Sequence, residues 1–212
     1  MTSTNHCGSL RATMGLAVAA MLLAAGCATP TAGPRAPATA QVQDDYGFVI
    51  SQDVEVSPDV QADFAVALEL LQQERYEQGI DLLQDVTERA PDVAAAHINL
   101  GIAQARLGRQ DEAEASMLRA LALNPQHPVA HNEIGMLYRK TGRFDAARAH
   151  YEQALAAYPG FHFARRNLAV LCDIYLADLQ CALEHYERYV EAAPEDGEAA
   201  MWVADLRNRL GQ

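Results

Sequence analysis

Two stretches decide the reading of this chain: INLGIAQARLGRQDEAEASMLRALALNP at residues 98–125 and NEIGMLYRKTGRFDAARAHYEQALAAYP at residues 132–159. They share one pattern. A bulky apolar residue precedes a glycine (Leu100-Gly101, Ile134-Gly135). A second glycine follows seven residues later (Gly108, Gly142). Then come a small residue (Ala113, Ala147), an Ala-Leu pair (Ala120-Leu121, Ala154-Leu155) and a closing proline. Apolar residues fall at i, i+3, i+4 and i+7 on both sides of the second glycine, so each stretch reads as two amphipathic helices joined by a turn. Proline ends the second helix, because it has no N–H to continue the ladder.

Working outward, Pro91, Pro125, Pro159 and Pro194 stand 34, 34 and 35 residues apart. In that register Ala67, Gly101, Gly135 and Ala169 form a column of small residues. Gly79, Ala113, Ala147 and Ala182 form another. Val66, Leu100, Ile134 and Leu168 are bulky, as are Leu83, Met117, Tyr151 and Tyr186. Small residues where helices cross let backbones approach closely. A period of 34 residues with these columns resembles the tetratricopeptide repeat. The resemblance covers residues 60–194 and implies an all-α solenoid of about four helix pairs. The expected units are 60–93, 94–127, 128–161 and 162–194, with helix pairs near 61–73/77–90, 94–107/111–123, 128–141/145–157 and 162–176/180–192. Residues 195–212, with Met201, Trp202 and Leu206, are expected to form the capping helix a solenoid needs, Arg207 and Arg209 giving its polar outer side. The extra residue of unit four is placed in its inter-helix turn, around 177–180. Tyr189 replaces the usual small residue late in the second helix of that unit and is expected near Trp202.

The N-terminal segment is of another kind. Residues 1–26 contain one charged side chain, Arg11, followed by fifteen uncharged residues. That run is shorter than the ~20 a spanning helix needs. Leu23-Ala24-Ala25-Gly26-Cys27 resembles a bacterial lipobox, which implies cleavage before Cys27 and acylation of that residue. Ala28, not Asp, follows the cysteine. By the same resemblance this implies an outer-membrane anchor facing the periplasm. Residues 27–58 are read as the lipidated cysteine and a Pro/Ala-rich linker. Within it, residues 28–45 are semi-extended, reaching up to ~50 Å at ~3.1 Å per residue. The apolar, β-prone stretch at residues 46–50 is expected to pack on the first repeat or to bind a partner strand.

The chain of 212 residues carries 16 basic and 28 acidic side chains, a net charge of −12. That balance argues against nucleic acid, whose phosphates draw on a basic surface. Catalytic signatures are absent: no GxxxxGK[ST], HExxH, GxSxG or CxxC occurs. His127 and His131, with Glu133 nearby, have the spacing of metal ligands. Pro128 opens a helix between them, and His97 shares the column of His131, so both read as core-edge histidines. No metal, cofactor or enzymatic activity is expected. Cys172 and Cys181 lie on antiparallel helices of unit four. They are read either as a disulfide, favoured by an oxidising periplasm, or as two buried thiols.

In the repeat family the first helices of the pairs line a concave groove for peptides. By column, this resemblance places Phe64, Leu68, Ile98, Asn99, Ile102, Arg106, Asn132, Met136, Arg139, Lys140, Arg166, Asn167, Val170 and Ile174 in the groove. The apolar members would bury partner side chains, and Asn99, Asn132 and Asn167 would pair with a partner's backbone. Arg106, Arg139, Lys140 and Arg166 form a basic strip suited to acidic segments. The family's carboxylate clamp is matched only at Asn99 and Asn167; Ile98 and Glu133 stand where Lys and Asn are expected. The implied function is a protein-interaction scaffold in the cell envelope, similar in layout to lipoproteins of Tad and type IV pilus assembly. Adaptors for peptidoglycan enzymes or proteases share that build.

Overall fold

In the computed structural model the described residues are 39–43 and 49–211. Two short strands, β1 (Thr39–Gln43) and β2 (Val49–Glu55), pair antiparallel, with Gln43 opposite Val49 and Gln41 opposite Ser51. An irregularity falls between Thr39 and Ala40. Twelve residues of the span read from sequence as linker, 39–43 and 49–55, are therefore strand. Residues 46–48 of the apolar stretch lie outside the described residues. At the end of β2 and just past it, Val54 and Val56 pack with Val60, Phe64 and Val86 of the first repeat and with Val93 just ahead of the second.

Four antiparallel helix pairs follow. They are α1 (Pro58–Gln72) with α2 (Tyr76–Arg89), α3 (Ala94–Arg106) with α4 (Gln110–Leu123), α5 (Pro128–Lys140) with α6 (Phe144–Ala157), and α7 (His162–Val170) with α8 (Leu179–Ala192). A last helix, α9 (Gly197–Leu210), covers the end. Each second helix stops one or two residues short of its proline. The residue before that proline leaves the helical region, and Asn124 and Tyr158 are extended, as the ring of the next residue favours.

The columns explain the core. Leu83, Met117, Tyr151 and Tyr186 are all buried, and so are the small residues they oppose. Gly101 and Gly135 are there for space: a Cβ on Gly135 would lie 2.5 Å from the Tyr151 ring. The turns of units two and three use Gly108 and Gly142 at φ +77° and +78°, where a side chain is strained. Units one and four put Glu74 and Ala177 at the same kind of position, φ 58° and 52°.

Two expectations are corrected. Val66 shares a column with buried Leu100 and Ile134, yet is 48% exposed. That column packs against the preceding repeat, as Leu100 does on Ile80 and Leu83, and unit one has none. The extra residue of unit four sits inside its first helix, not in the turn. Residues Leu171–Tyr175 form a π-helical turn, with Leu176 N–H bonded to the Leu171 carbonyl at 3.1 Å. A π-turn is an α-helix with one residue inserted. Arg207 and Arg209 are exposed on the outer side of the cap, as expected. They reach back to Glu187 and Asp173 and clamp the cap to unit four. Trp202 packs beside Tyr189, as expected, and its ring lies 5.2 Å from that of Tyr186.

Candidate binding groove

The first helices of successive pairs, α3 and α5, line an open cavity of about 390 Å³ to which the π-turn of unit four contributes Tyr175. Of the residues assigned to the groove from sequence, Ile102, Arg106, Met136, Arg139 and Lys140 line this cavity. Met117, Glu133, Leu137 and Tyr175 also line it. The column pattern placed Met117 in the core, which is consistent with its position as floor. Tyr175 was not legible, because the π-turn rotates everything after Leu171 relative to the repeat register. Its ring meets Phe144 at 5.0 Å, and the Arg139 guanidinium lies 5.8 Å from its centroid.

Other assigned residues have structural jobs. Ile98 is buried in the core and does not face the groove. Asn132 is 1% exposed; its amide donates to Glu133 and its carbonyl accepts from Asn167 at 2.9 Å. The two asparagines thus tie unit three to unit four. Asn132 is sealed from a partner's backbone. Asn99 donates to Ala95 O within its own helix. Phe64 packs into the core of unit one, and Leu68 is half-buried on the same helix. Val170 packs beside the main core, while Ile174 is 66% exposed and does not line the cavity. Arg166 turns to the cap, its guanidinium 5.4 Å from the Trp202 centroid.

Charge is distributed unevenly. Eight arginines, including Arg89, Arg109 and Arg143, hold carboxylates. Among the described residues no ion pair is made by Arg106, Arg139, Lys140 or Arg166. In a chain with 28 acidic side chains, three cations, Arg106, Arg139 and Lys140, line the cavity beside one carboxylate, Glu133.

The histidines are structural. His97 and His131 each place Nε2 on the carbonyl of the proline six residues earlier, Pro91 and Pro125, at 2.9 and 3.0 Å. Arg165 does the same to Pro159. With Nε2 donating, His131 Nδ1 accepts from His150 Nδ1–H at 3.0 Å. Burial pushes His127 and His150 down to about 4. Both are therefore neutral at pH 7, where an unfolded histidine titrates near 6.5. Between those values the unfolded chain binds more protons, so stability falls as pH drops from about 6.5 to 4. A melting series across that window is expected to show the fall. His150→Asn, which keeps a donor toward His131, is expected to flatten it. An unchanged slope would assign the fall to other groups.

Cys172 and Cys181 are joined, with Cα atoms 5.9 Å apart. Asp178 lies within 4.8 Å of both sulfurs, but a disulfide offers no thiolate for a metal, and Asp178 caps the Cys181 N–H. Among the described residues no helix is long and apolar enough to cross a membrane.

Residues 64–128 and 128–161 match two sequence models of the tetratricopeptide repeat. The fold is a tetratricopeptide-repeat solenoid. Solved structures agree with it. The pilF protein of Pseudomonas aeruginosa superposes with a TM-score of 0.65 at 22% identity, over 71% of this chain and 68% of its own. MamA of Desulfovibrio magneticus gives 0.64 at 20% identity, over 73% and 87%. A thermophilic repeat protein of Thermus thermophilus gives 0.62 at 24%, over 70% and 81%. At such identities the likeness is one of fold. No curated protein matches the sequence. As a tetratricopeptide-repeat solenoid, the chain presents a groove for binding, and the groove holds no arrangement of nucleophile, base and acid among the described residues.

Proposed function

We propose that this protein is a non-catalytic scaffold, anchored by acyl chains on Cys27 to the outer membrane and facing the periplasm. It holds a protein partner in its concave groove during assembly of an envelope machine of the pilus or secretion type. The observation that carries this reading is the strip of Arg106, Arg139 and Lys140 along the groove, none of which makes an ion pair among the described residues of an acidic chain. The anchor rests on the sequence Leu23–Cys27. The pilus setting is supported by the order of signal, tether and repeats and by the fold shared with pilF.

The test is affinity capture from detergent-solubilised membranes of the native host. Wild type is expected to retain secretin or pilus subunits. Arg106→Glu with Arg139→Glu is expected to lose them while its helical circular dichroism is unchanged. Retention of the same partners by that variant would remove the groove from the function. Capture of cell-wall hydrolases or proteases instead would replace the assembly role with that of an adaptor.

A further inference from the structure

The cavity between α3, α5 and the π-turn has a chemistry narrower than a general peptide groove. Its floor is apolar and soft: Gly101, Ile102, Met117 and Met136. Unbranched methionines adapt to an inserted side chain and make favourable sulfur contacts with aromatic rings. Its rim is cationic, with Arg106, Arg139 and Lys140. Arg106 and Lys140 are exposed. The carboxylate among the lining residues, Glu133, already accepts from Asn132. Tyr175, about 43% exposed, also lines the cavity, its ring tilted against Phe144 at 5.0 Å and with the Arg139 guanidinium over it at 5.8 Å. A ring held in that way offers a stacking surface to an incoming apolar group.

Resting on the scaffold reading above, we propose that this cavity takes an internal acidic segment of a partner protein carrying one aromatic side chain. The aromatic group enters over Ile102, Met117 and Met136 and meets Tyr175. The flanking carboxylates lie on Arg106, Arg139 and Lys140. The chain terminus of the partner is not needed, because the cations form a rim spread over two helices and not a clamp around one carboxylate. Charge complementarity selects the segment: three cations face the opening against one engaged carboxylate, and like-charged segments are repelled. The π-turn carries Tyr175 out of the repeat register and into the cavity lining.

The probe is a fluorescein-labelled, C-terminally amidated peptide with a central phenylalanine between runs of glutamate. It is titrated with the full chain in mild detergent and read by fluorescence polarisation. Saturable binding is expected, weakening steeply with added salt as rim charges are screened. A peptide with lysines in place of the glutamates is expected not to bind. Arg106→Glu with Lys140→Glu, both exposed positions, is expected to weaken binding at least tenfold. Tyr175→Ala is expected to weaken it several-fold, and replacing the phenylalanine by serine should do the same. Equal binding of glutamate and lysine peptides, full binding by the double variant, or binding only when the peptide has a free C-terminal carboxylate would each overturn the proposal. The lysine peptide and the salt series use wild type, so they decide the matter even if a variant misfolds. Failure here with partners still captured from membranes would discard this subsite and leave the scaffold reading standing.

Discussion

Gly135→Ala is expected to lower stability by about 2 kcal/mol, against the usual direction of such a change. In an exposed helix, alanine is better than glycine by about 1 kcal/mol. Here the new Cβ would meet Tyr151 Cε1 at 2.5 Å and Cδ1 at 2.7 Å. Real carbon atoms do not approach so closely. The Tyr151 ring is fully buried and has nowhere to move. Overpacking of this kind costs ~1–3 kcal/mol and occasionally more. In a chain of this size a net loss of about 2 kcal/mol lowers the melting midpoint by about 4–8 °C. Gly101→Ala is expected to do less, because its nearest neighbour is the flexible end of Met117, although the Ala113 carbonyl at 3.1 Å limits the relief. Gly135→Leu should unfold unit three outright. A solenoid unit contacts only its neighbours, so the loss passes along the stack. Thermal melts of the three variants check the ranking. A midpoint for Gly135→Ala at or above wild type would mean that α5 and α6 do not cross at this residue.

Breaking the Cys172–Cys181 bond is the second large effect. The bridge spans nine residues of sequence. The chain-entropy account gives about 2–3 kcal/mol for a loop of that size. The loss is local. The bond joins the π-turn to the first turn of α8. Ala177 between them sits at φ 52°, a conformation that costs a non-glycine residue ~1–2 kcal/mol. The sole tryptophan, Trp202, lies on the cap beside Tyr186 and reports on this end of the stack. With dithiothreitol, the unfolding midpoint read by tryptophan fluorescence is expected to fall further than that read by circular dichroism. The Cys172→Ala, Cys181→Ala variant should behave like the reduced protein. Equal midpoints with and without reductant would show that the bond adds nothing to this unit.

The sequence by itself determined the pitch, the pairing and the crossings. Prolines at 34-residue intervals, small residues at Gly101, Gly135, Ala113 and Ala147, and apolar positions with helical period are local facts. Each acts within its own repeat, so counting recovers it, and the helices lie within three residues of where the spacing put them, save the π-turn. What depends on a neighbour in space was not legible. Val66 and Leu100 occupy one column, and only the presence of a preceding repeat separates an exposed residue from a buried one. Asn132 and Asn167 look alike in a column of groove amides until the stack brings them to 2.9 Å and seals the first. The 35-residue spacing announced one extra residue, but several sites could absorb it. Packing of unit four put it inside the helix as a π-turn, and that choice alone carried Tyr175 into the groove. Periodicity fixes a residue's angle on its own helix; which atoms stand opposite it is set by the stack.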